Sequence, residues 1–390
     1  MPLREKSVME QRQEFVRLAE QEGVNRRELC RRFGISADTA YRWLRRWEAG
    51  DVGLADGSRR PHHSPCQTEP EVEAAILMVR EEHPAWGARK IARWLEREGL
   101  SCPGISTVHE VLRRHGRVPV SASGGLATQR FEKPAPNLLW QMDFKGWFAL
   151  SDGTRCHPLT MLDDHSRYLL CLAACGDEQA SGVQRHLTAT FRRYGLPDAM
   201  FVDNGAPWGD SNGQRWTRLG VWLLKLGVRL LHSRPYHPQS RGKNERLHRT
   251  LKAEVVSLRR FADQAAAQRA FDRWRCIYNG ERPHEALDMA VPADRYRPSP
   301  RPMPERLPEP DYPPGEIVRR VSSTKAYIHF KGRLWPVGQA FFGERLAIRP
   351  RGIDGQYGIY LGAHEIAAID LTKPTPVRHV SEQVSDMSPN

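Results

Sequence analysis

Over residues 1–50 the apolar positions recur at helical spacing. Phe15, Leu18 and Ala19 share a stripe within Gln11–Glu22, and Leu29, Cys30 and Phe33 share another within Arg26–Phe33. Gly34 stops the second segment and Ser36 is placed to cap a third, in which Ala40, Trp43, Leu44 and Trp47 follow at i, i+3, i+4 and i+7. The other faces of that third segment carry Thr39, Tyr41, Arg42, Arg45 and Arg46. A short helix, a glycine turn and a helix with a cationic outer face make the helix-turn-helix plan, predicted here at 1–50.

The pattern returns at 69–116. Val72, Ala75, Ile76 and Val79 form one stripe, and Ile91 and Leu95 mark the next. Ser106 is placed to cap a last helix, with Val108, Val111 and Leu112 inside and Thr107, Arg113 and Arg114 outside. Two such units in tandem suit a long or bipartite DNA site, with Arg42, Arg45, Arg46, Arg113 and Arg114 as candidate DNA contacts. The plainer alternative is a pair of small helical bundles with solvated basic faces. Residues 51–68 and the Gly- and Ser-rich stretch 116–130 read as linkers.

From 131 the period shortens to two. In LLWQMDFKGWFAL, Trp140, Met142 and Phe144 fall on one face of a strand and Gln141, Asp143 and Lys145 on the other. PLTMLDDHSRYLLCLAAC reads as two more strands meeting near DDHS, followed by a helix at Gln179–Tyr194. AMFVD is a short strand ending at Asp203 before the turn signal Asn204-Gly205; a helix (Trp216–Leu226), a strand (Val228–His232) and a helix starting near Lys243 complete the order. That is a mixed five-stranded α/β sheet, antiparallel first and crossing over later, in a domain at 131–297. Eight prolines between 298 and 314 predict an extended, semi-rigid linker. Short strand-like runs at 315–373 predict a small all-β barrel of the SH3-like kind, and 374–390 a disordered tail.

Composition adds limits. With 39% hydrophobic and 27% charged residues the chain is globular. No run approaches a membrane-spanning length and the start lacks a signal-like apolar stretch, so a cytoplasmic, nucleoid-associated location is expected. The seven cysteines are scattered, which suits a reducing compartment, and His62, His63 and Cys66 lack the second ligand pair a zinc knuckle needs. The formal charge of +13 is spread as +4 over 1–130, +7 over 131–300 and +2 over 301–390. That balance favours a polyanionic partner, most simply nucleic acid such as double-stranded DNA.

Three acids stand where side chains can converge: Asp143 on a strand, Asp203 at a strand end and Glu245 near a helix start. Glu245 is flanked by Arg241, Lys243, Arg246, Arg249 and Lys252, and its plain reading is an i,i+4 ion pair with Arg249. Asp163, Asp164, His165 and Ser166 read better as a hairpin corner than as a hydrolytic set, because neighbours in sequence rarely meet in triad geometry.

WQMDF, VDNG and YHPQSRGKNE followed by RLHRTLK resemble the three acidic motifs of the integrase-core (DDE) transposases. YNGERPHEAL and PADRY, over 278–296, resemble the end of that core in bacterial insertion-sequence members, so the likeness covers roughly residues 10–300. It implies a ribonuclease-H-like fold and a catalytic, metal-binding set of Asp143, Asp203 and Glu245 holding two Mg²⁺ or Mn²⁺. It implies cleavage and joining of DNA at the ends of a mobile element, by a homodimer or larger assembly. It also implies phosphate contacts from Lys243, Arg249 and Lys252. One departure is that 41 residues separate Asp203 from Glu245, more than is usual in the superfamily; the loop-like GDSNGQRW accounts for the excess. Two other functions fit the same residues: a DNA-binding regulator with an inactive core, and a metal-dependent nuclease that never joins strands.

Overall fold

The computed structural model describes residues 7–57, 68–118, 132–209, 216–232, 242–373 and 378–379. The chain divides into two compact units, Met1–Gln67 and Thr68–Asn390.

The first unit holds α1 (Val8–Ala19), α2 (Arg26–Phe33) and α3 (Ala37–Glu48). Each start has its signal in the sequence. Ser7 and Glu10 form a capping box, Asn25 accepts from Arg27 and Glu28 N–H, and the Ser36 hydroxyl accepts from Thr39 N–H. Gly34 closes α2 in the left-handed conformation at φ 64°. Phe15, Val16, Leu29, Ala40 and Leu44 are buried between the helices. Ser7 starts α1 three residues ahead of the predicted Gln11, because the box lies outside the apolar stripe.

The second unit opens with α4 (Pro70–Glu82), α5 (Ala88–Arg97) and α6 (Ile105–Arg114), closed around Ile76, Val79, Trp86, Ile91, Leu95 and Val108. Ser106 does not cap α6. The helix begins on Gly104 with no side-chain cap, which leaves Ser106 inside the first turn.

A mixed sheet follows. It contains β1 (Trp140–Phe144), β2 (Phe148–Ala149), β3 (Arg155–Asp163), β4 (Leu169–Cys175), β5 (Ala199–Val202) and β6 (Arg229–His232), with α7 (Ala180–Tyr194) and α8 (Arg218–Lys225) as crossovers. The order is β2-β3-β1-β5-β6, with β4 also paired to β3. β3 runs antiparallel to both β1 and β4, whereas β1, β5 and β6 are parallel to one another. The five predicted strands are present; the two-residue β2 is an addition too short to leave a period.

Each face of the sheet has its own core. Trp140, Met142, Leu159, Met161 and Met200 pack under α7 and α8. Leu162, Leu169 and Leu172 pack with Leu247 and Leu251 of α9 (Gly242–Leu251) and Phe271 and Trp274 of α10 (Gln264–Gly280). A π-helical turn, Lys252–Val256, extends α9. Ile277 of α10 also packs on the α4–α6 core, and Arg97 reaches Asp294 of α11 (Pro292–Arg295) at 3.5 Å. The helical unit at 69–116 is therefore seated on the sheet domain.

The proline-rich stretch is not a free spacer at its start. Prolines at 298, 300 and 302 leave backbone donors only at alternate positions, so Ser299 and Arg301 face the sheet domain. Ser299 N–H donates to Tyr194 O (2.8 Å) and Arg301 O accepts from Leu196 N–H (2.7 Å). The Arg301 guanidinium spans Pro197 O, Leu226 O and Gly227 O at 2.9–3.1 Å. Gly195, at φ 79°, permits this approach: a Cβ there would lie 2.6 Å from Ser299 O.

Beyond it, β7 (Ile317–Arg320), β8 (Tyr327–Phe330), β9 (Arg333–Pro336), β10 (Arg345–Pro350), β11 (Gln356–Leu361), β12 (His364–Asp370) and β13 (Arg378–His379) are all antiparallel. They form a five-stranded sheet, β13-β12-β11-β10-β7, and a separate β8–β9 hairpin. Within 374–390, expected as a disordered tail, β13 pairs with β12; residues 374–377 and 380–390 lie outside the described residues. Trp216, Val221 and Leu224 share this unit's core with Ile328, Phe341 and Ile366. Among the described residues no helix is long and apolar enough to cross a membrane.

Candidate active site

Asp143 enters the site by strand alternation. Trp140 and Met142 face the core under α7, which turns Gln141 and Asp143 to the α9 side. β1 is in parallel register with β5 through Trp140↔Met200 and Gln141↔Phe201. Two steps further along that register lies Asp203, the first residue past β5. The two carboxylates thus stand on adjacent chains roughly 5 Å apart at the backbone. Gly205 N–H donates to the Asp203 carboxylate at 3.2 Å, and His232 Nδ1 to its carbonyl at 3.0 Å. The Asn204-Gly205 turn therefore holds Asp203 in place. Both acids are half-buried.

Glu245 is exposed in the first turn of α9. That helix is held at two points beside it. On one side, Lys243 pairs with Asp164, which is fully buried and also accepts from Gln141 Nε2 (2.7 Å) and Lys133 N–H (2.8 Å). On the other, His248 Nε2 meets the Thr160 hydroxyl at 2.9 Å, and that hydroxyl donates to Asp143 O at 2.9 Å. Thr160 is the β3 residue in register with Asp143. Among the described residues, no three His, Cys, Asp or Glu side chains stand close enough together to hold a metal ion. The donor types nonetheless suit a hard divalent ion: two carboxylates on neighbouring strands, and a third on a long side chain of an anchored helix.

Charge follows the same geometry. Burial, and then Lys252, lower the Lys145 ammonium below its usual range. Burial brings Lys243 down to about 8 against the pull of Asp164, and brings His248 to about 4 with Lys145 adding repulsion. Crowded cations of this kind are relieved by a polyanion.

The hairpin corner behaves as its sequence implies. Asp163 is buried and accepts from Asn137 N–H, Ser166 N–H and the Ser166 hydroxyl at 2.6–2.8 Å. These bonds close a turn between β3 and β4 and assemble no nucleophile.

The predicted cationic contacts divide. Arg42, Arg45, Arg249 and Lys252 are exposed. Arg46 is bound by Asp51 and Ala55 O, both at 2.5 Å, Arg113 by Glu110 at 2.6 Å and Arg114 by Glu73 at 3.0 Å. Lys243 faces inward on Asp164 instead of outward to solvent. Tyr236, His237, Gln239 and Arg241, most of GDSNGQRW, and His62, His63 and Cys66 lie outside the described residues. Lys145, Thr160 and His248 stand beside these acids and are absent from the sequence-based candidates. Lys145 had a signal, being two residues beyond Asp143 on one strand face; Thr160 had none before the β1–β3 register was known.

Matches to protein-family models agree with this architecture. Integrase core domain models match residues 133–238 and 226–292. A helix-turn-helix domain model matches 11–62 and a homeodomain-like domain model 39–112. The IS481 family transposase C-terminal domain model matches 316–376. The insertion element IS407 31.7 kDa protein of Burkholderia multivorans is 27% identical over 71% of this chain and 92% of its own length. The IS476 39.2 kDa protein of Xanthomonas euvesicatoria is 26% identical over 72% of this chain and 75% of its own. A chain of the simian T-cell lymphotropic virus intasome, solved with the PP2A regulatory subunit B56 gamma, aligns at TM-score 0.38 and 14% identity, covering 79% of this chain and 99% of that one. With helix-turn-helix domains ahead of an integrase core and an all-β unit behind it, the chain belongs to the bacterial insertion-sequence transposases of the integrase-core superfamily.

Proposed function

We propose that this transposase binds the terminal inverted repeats of its own element and cuts and joins DNA with Asp143, Asp203 and Glu245 as ligands for two Mg²⁺ or Mn²⁺. The observation that carries the reading is the register: Asp143 and Asp203 share one level of adjacent strands, and α9 is anchored at that level on both sides of Glu245. Two such ions stabilise the attacking and leaving oxygens of an in-line displacement at phosphorus.

The chain supplies position and charge. Asp143, Asp203 and Glu245 would be the oxygen donors that hold the ions. Arg249 and Lys252, exposed on and just past α9, would neutralise phosphates beside the acids, with Lys145 behind them. In hydrolysis a water oxygen bonds to phosphorus and the bond to the 3′ oxygen breaks, leaving a 3′-hydroxyl and a 5′-phosphate. In joining, that 3′-hydroxyl bonds to a target phosphorus and displaces the target's own 3′ oxygen, so phosphodiester bonds are conserved and no protein nucleophile is needed. Arg42 and Arg45 of the first reader would grip the end DNA. Two copies at least are required, because two ends must be handled together.

The test is Glu245→Gln and Asp143→Asn in the full chain, on linear duplexes ending in the inverted repeats that flank the gene. End binding should survive while Mg²⁺-dependent cleavage and strand transfer vanish. Cleavage retained by either variant would sink the assignment, and cleavage without transfer in the wild type would identify a nuclease.

A further inference from the structure

The contact between His248 and Thr160 fixes more than packing. Thr160 is fully buried and its hydroxyl has one proton, which it gives to the carbonyl oxygen of Asp143. The 2.9 Å contact with His248 must then be made by a proton on Nε2, donated to Thr160 Oγ1. His248 stands one helical turn beyond Glu245, on the same side of α9. A two-bond chain thus runs from the helix of the third acid to the backbone of the first.

We propose that His248 is a positioning residue: through the Thr160 hydroxyl it sets the height and rotation of the Glu245 helix against the Asp143 strand. The proposal rests on the acid assignment above. Two features make this more than core filling. A leucine would fill a half-buried position beside Leu247 and Leu251, yet the residue present is one that can donate along a fixed line. The other anchor, Lys243 on Asp164, lies on the opposite side of Glu245. Leu247 and Leu251 seat α9 on the sheet, and the two polar anchors on either side of Glu245 then fix its height and rotation there. Burial, with repulsion from Lys145, keeps the ring neutral, and the Thr160 contact places its single proton on Nε2.

The experiment uses the full chain carrying His248→Ala, His248→Gln, Thr160→Val, Thr160→Ser and the double His248→Ala/Thr160→Val, each first checked for a cooperative melt. Long-range ¹H–¹⁵N spectra of the metal-free protein should show His248 protonated at Nε2 only. Calorimetry with Mn²⁺ should give binding weakened roughly 10–100-fold by His248→Ala and by Thr160→Val, the usual cost of removing a partner behind a metal ligand. The Mn²⁺ concentration needed for half-maximal nicking of supercoiled plasmid should rise in parallel, with plasmid affinity in EDTA unchanged. His248→Gln, which keeps an N–H donor, and Thr160→Ser, which keeps the hydroxyl, should restore most of the loss, and the double variant should be no worse than either single one.

An Nδ1–H tautomer, an unchanged Mn²⁺ isotherm in His248→Ala, no rescue by Gln or Ser, or additive losses in the double variant would each overturn the proposal. Glu245→Gln run alongside separates the two ideas. If it binds Mn²⁺ and nicks like the wild type, the acid assignment fails; if it is inert while His248→Ala is normal, only the positioning role fails.

Discussion

Trp216 donates its indole N–H to the carbonyl oxygen of Ile366, 3.2 Å away, and its ring stands edge-on to Phe341 at 6.0 Å. The donor precedes α8 of the sheet domain and both partners belong to the C-terminal β unit. One aromatic residue is therefore core for a unit that starts a hundred residues later. Trp216→Ala removes its burial and leaves Ile366 O without its donor, so it should cost about 3–5 kcal/mol. Thermal unfolding should show the β unit melting separately and at lower temperature. A single unshifted transition would mean that the shared core contributes little.

Lys243 and Asp164 make the second test. Asp164 is fully buried, so truncating Lys243 leaves a charge without its counterion. Lys243→Ala should lose about 3–5 kcal/mol by urea titration. Lys243→Ala with Asp164→Asn should recover part of that. A harmless Lys243→Ala would return the residue to the solvent-facing, DNA-contacting role its sequence suggested.

Acid should weaken the fold before it protonates most carboxylates. Burial lowers His83, His248 and His284 below the ordinary histidine value of 6.5. Below pH 6.5 the unfolded chain therefore binds more protons than the folded one, and stability falls as pH falls. For His248, at about 4, the loss runs from pH 6.5 down to 4 and amounts to about 3 kcal/mol. Urea midpoints measured between pH 7.5 and 4.5 should decline steadily from 6.5, and those of His248→Gln should decline less. A flat profile would mean these rings are solvated.

The arginines of α3 should separate into two kinds. Arg42→Ala and Arg45→Ala should weaken DNA binding and each reduce the salt slope by about 1, as loss of a phosphate contact does. Arg46, tied to Asp51 and Ala55 O, should instead lower the melting temperature of the first unit. Equal salt slopes for all three variants would contradict that division.

Period and punctuation made much of this legible in advance. Residues 140–144 alternate so strictly that the side of the sheet holding Asp143 was readable, and Gly34 and Ser36 marked their helix ends correctly. Reading failed where the cause is distant. Ser106 resembled a cap, but Gly104 had already opened the helix. Lys243 sits in a basic run that suggests solvent, and its partner lies 79 positions away. Thr160 and His248 are 88 apart and meet only because β3 is in register with β1. For Trp216 the local pattern gave a helix start, with no trace of a second hydrophobic core waiting for it.

The proline-rich stretch is fastened at more than one place. Arg301 grips the ends of α7 and α8, Lys225 of α8 holds Glu309 at 3.0 Å, and the Tyr312 hydroxyl reaches Arg345 O at 2.5 Å. A strap buckled at both ends does not set a distance; it encloses slack. Residues added between 305 and 308, where the chain is exposed, should therefore bow outward without moving the β unit. Arg301 and Gly195 carry the opposite burden, since a change at the buckle would release the strap whatever its length.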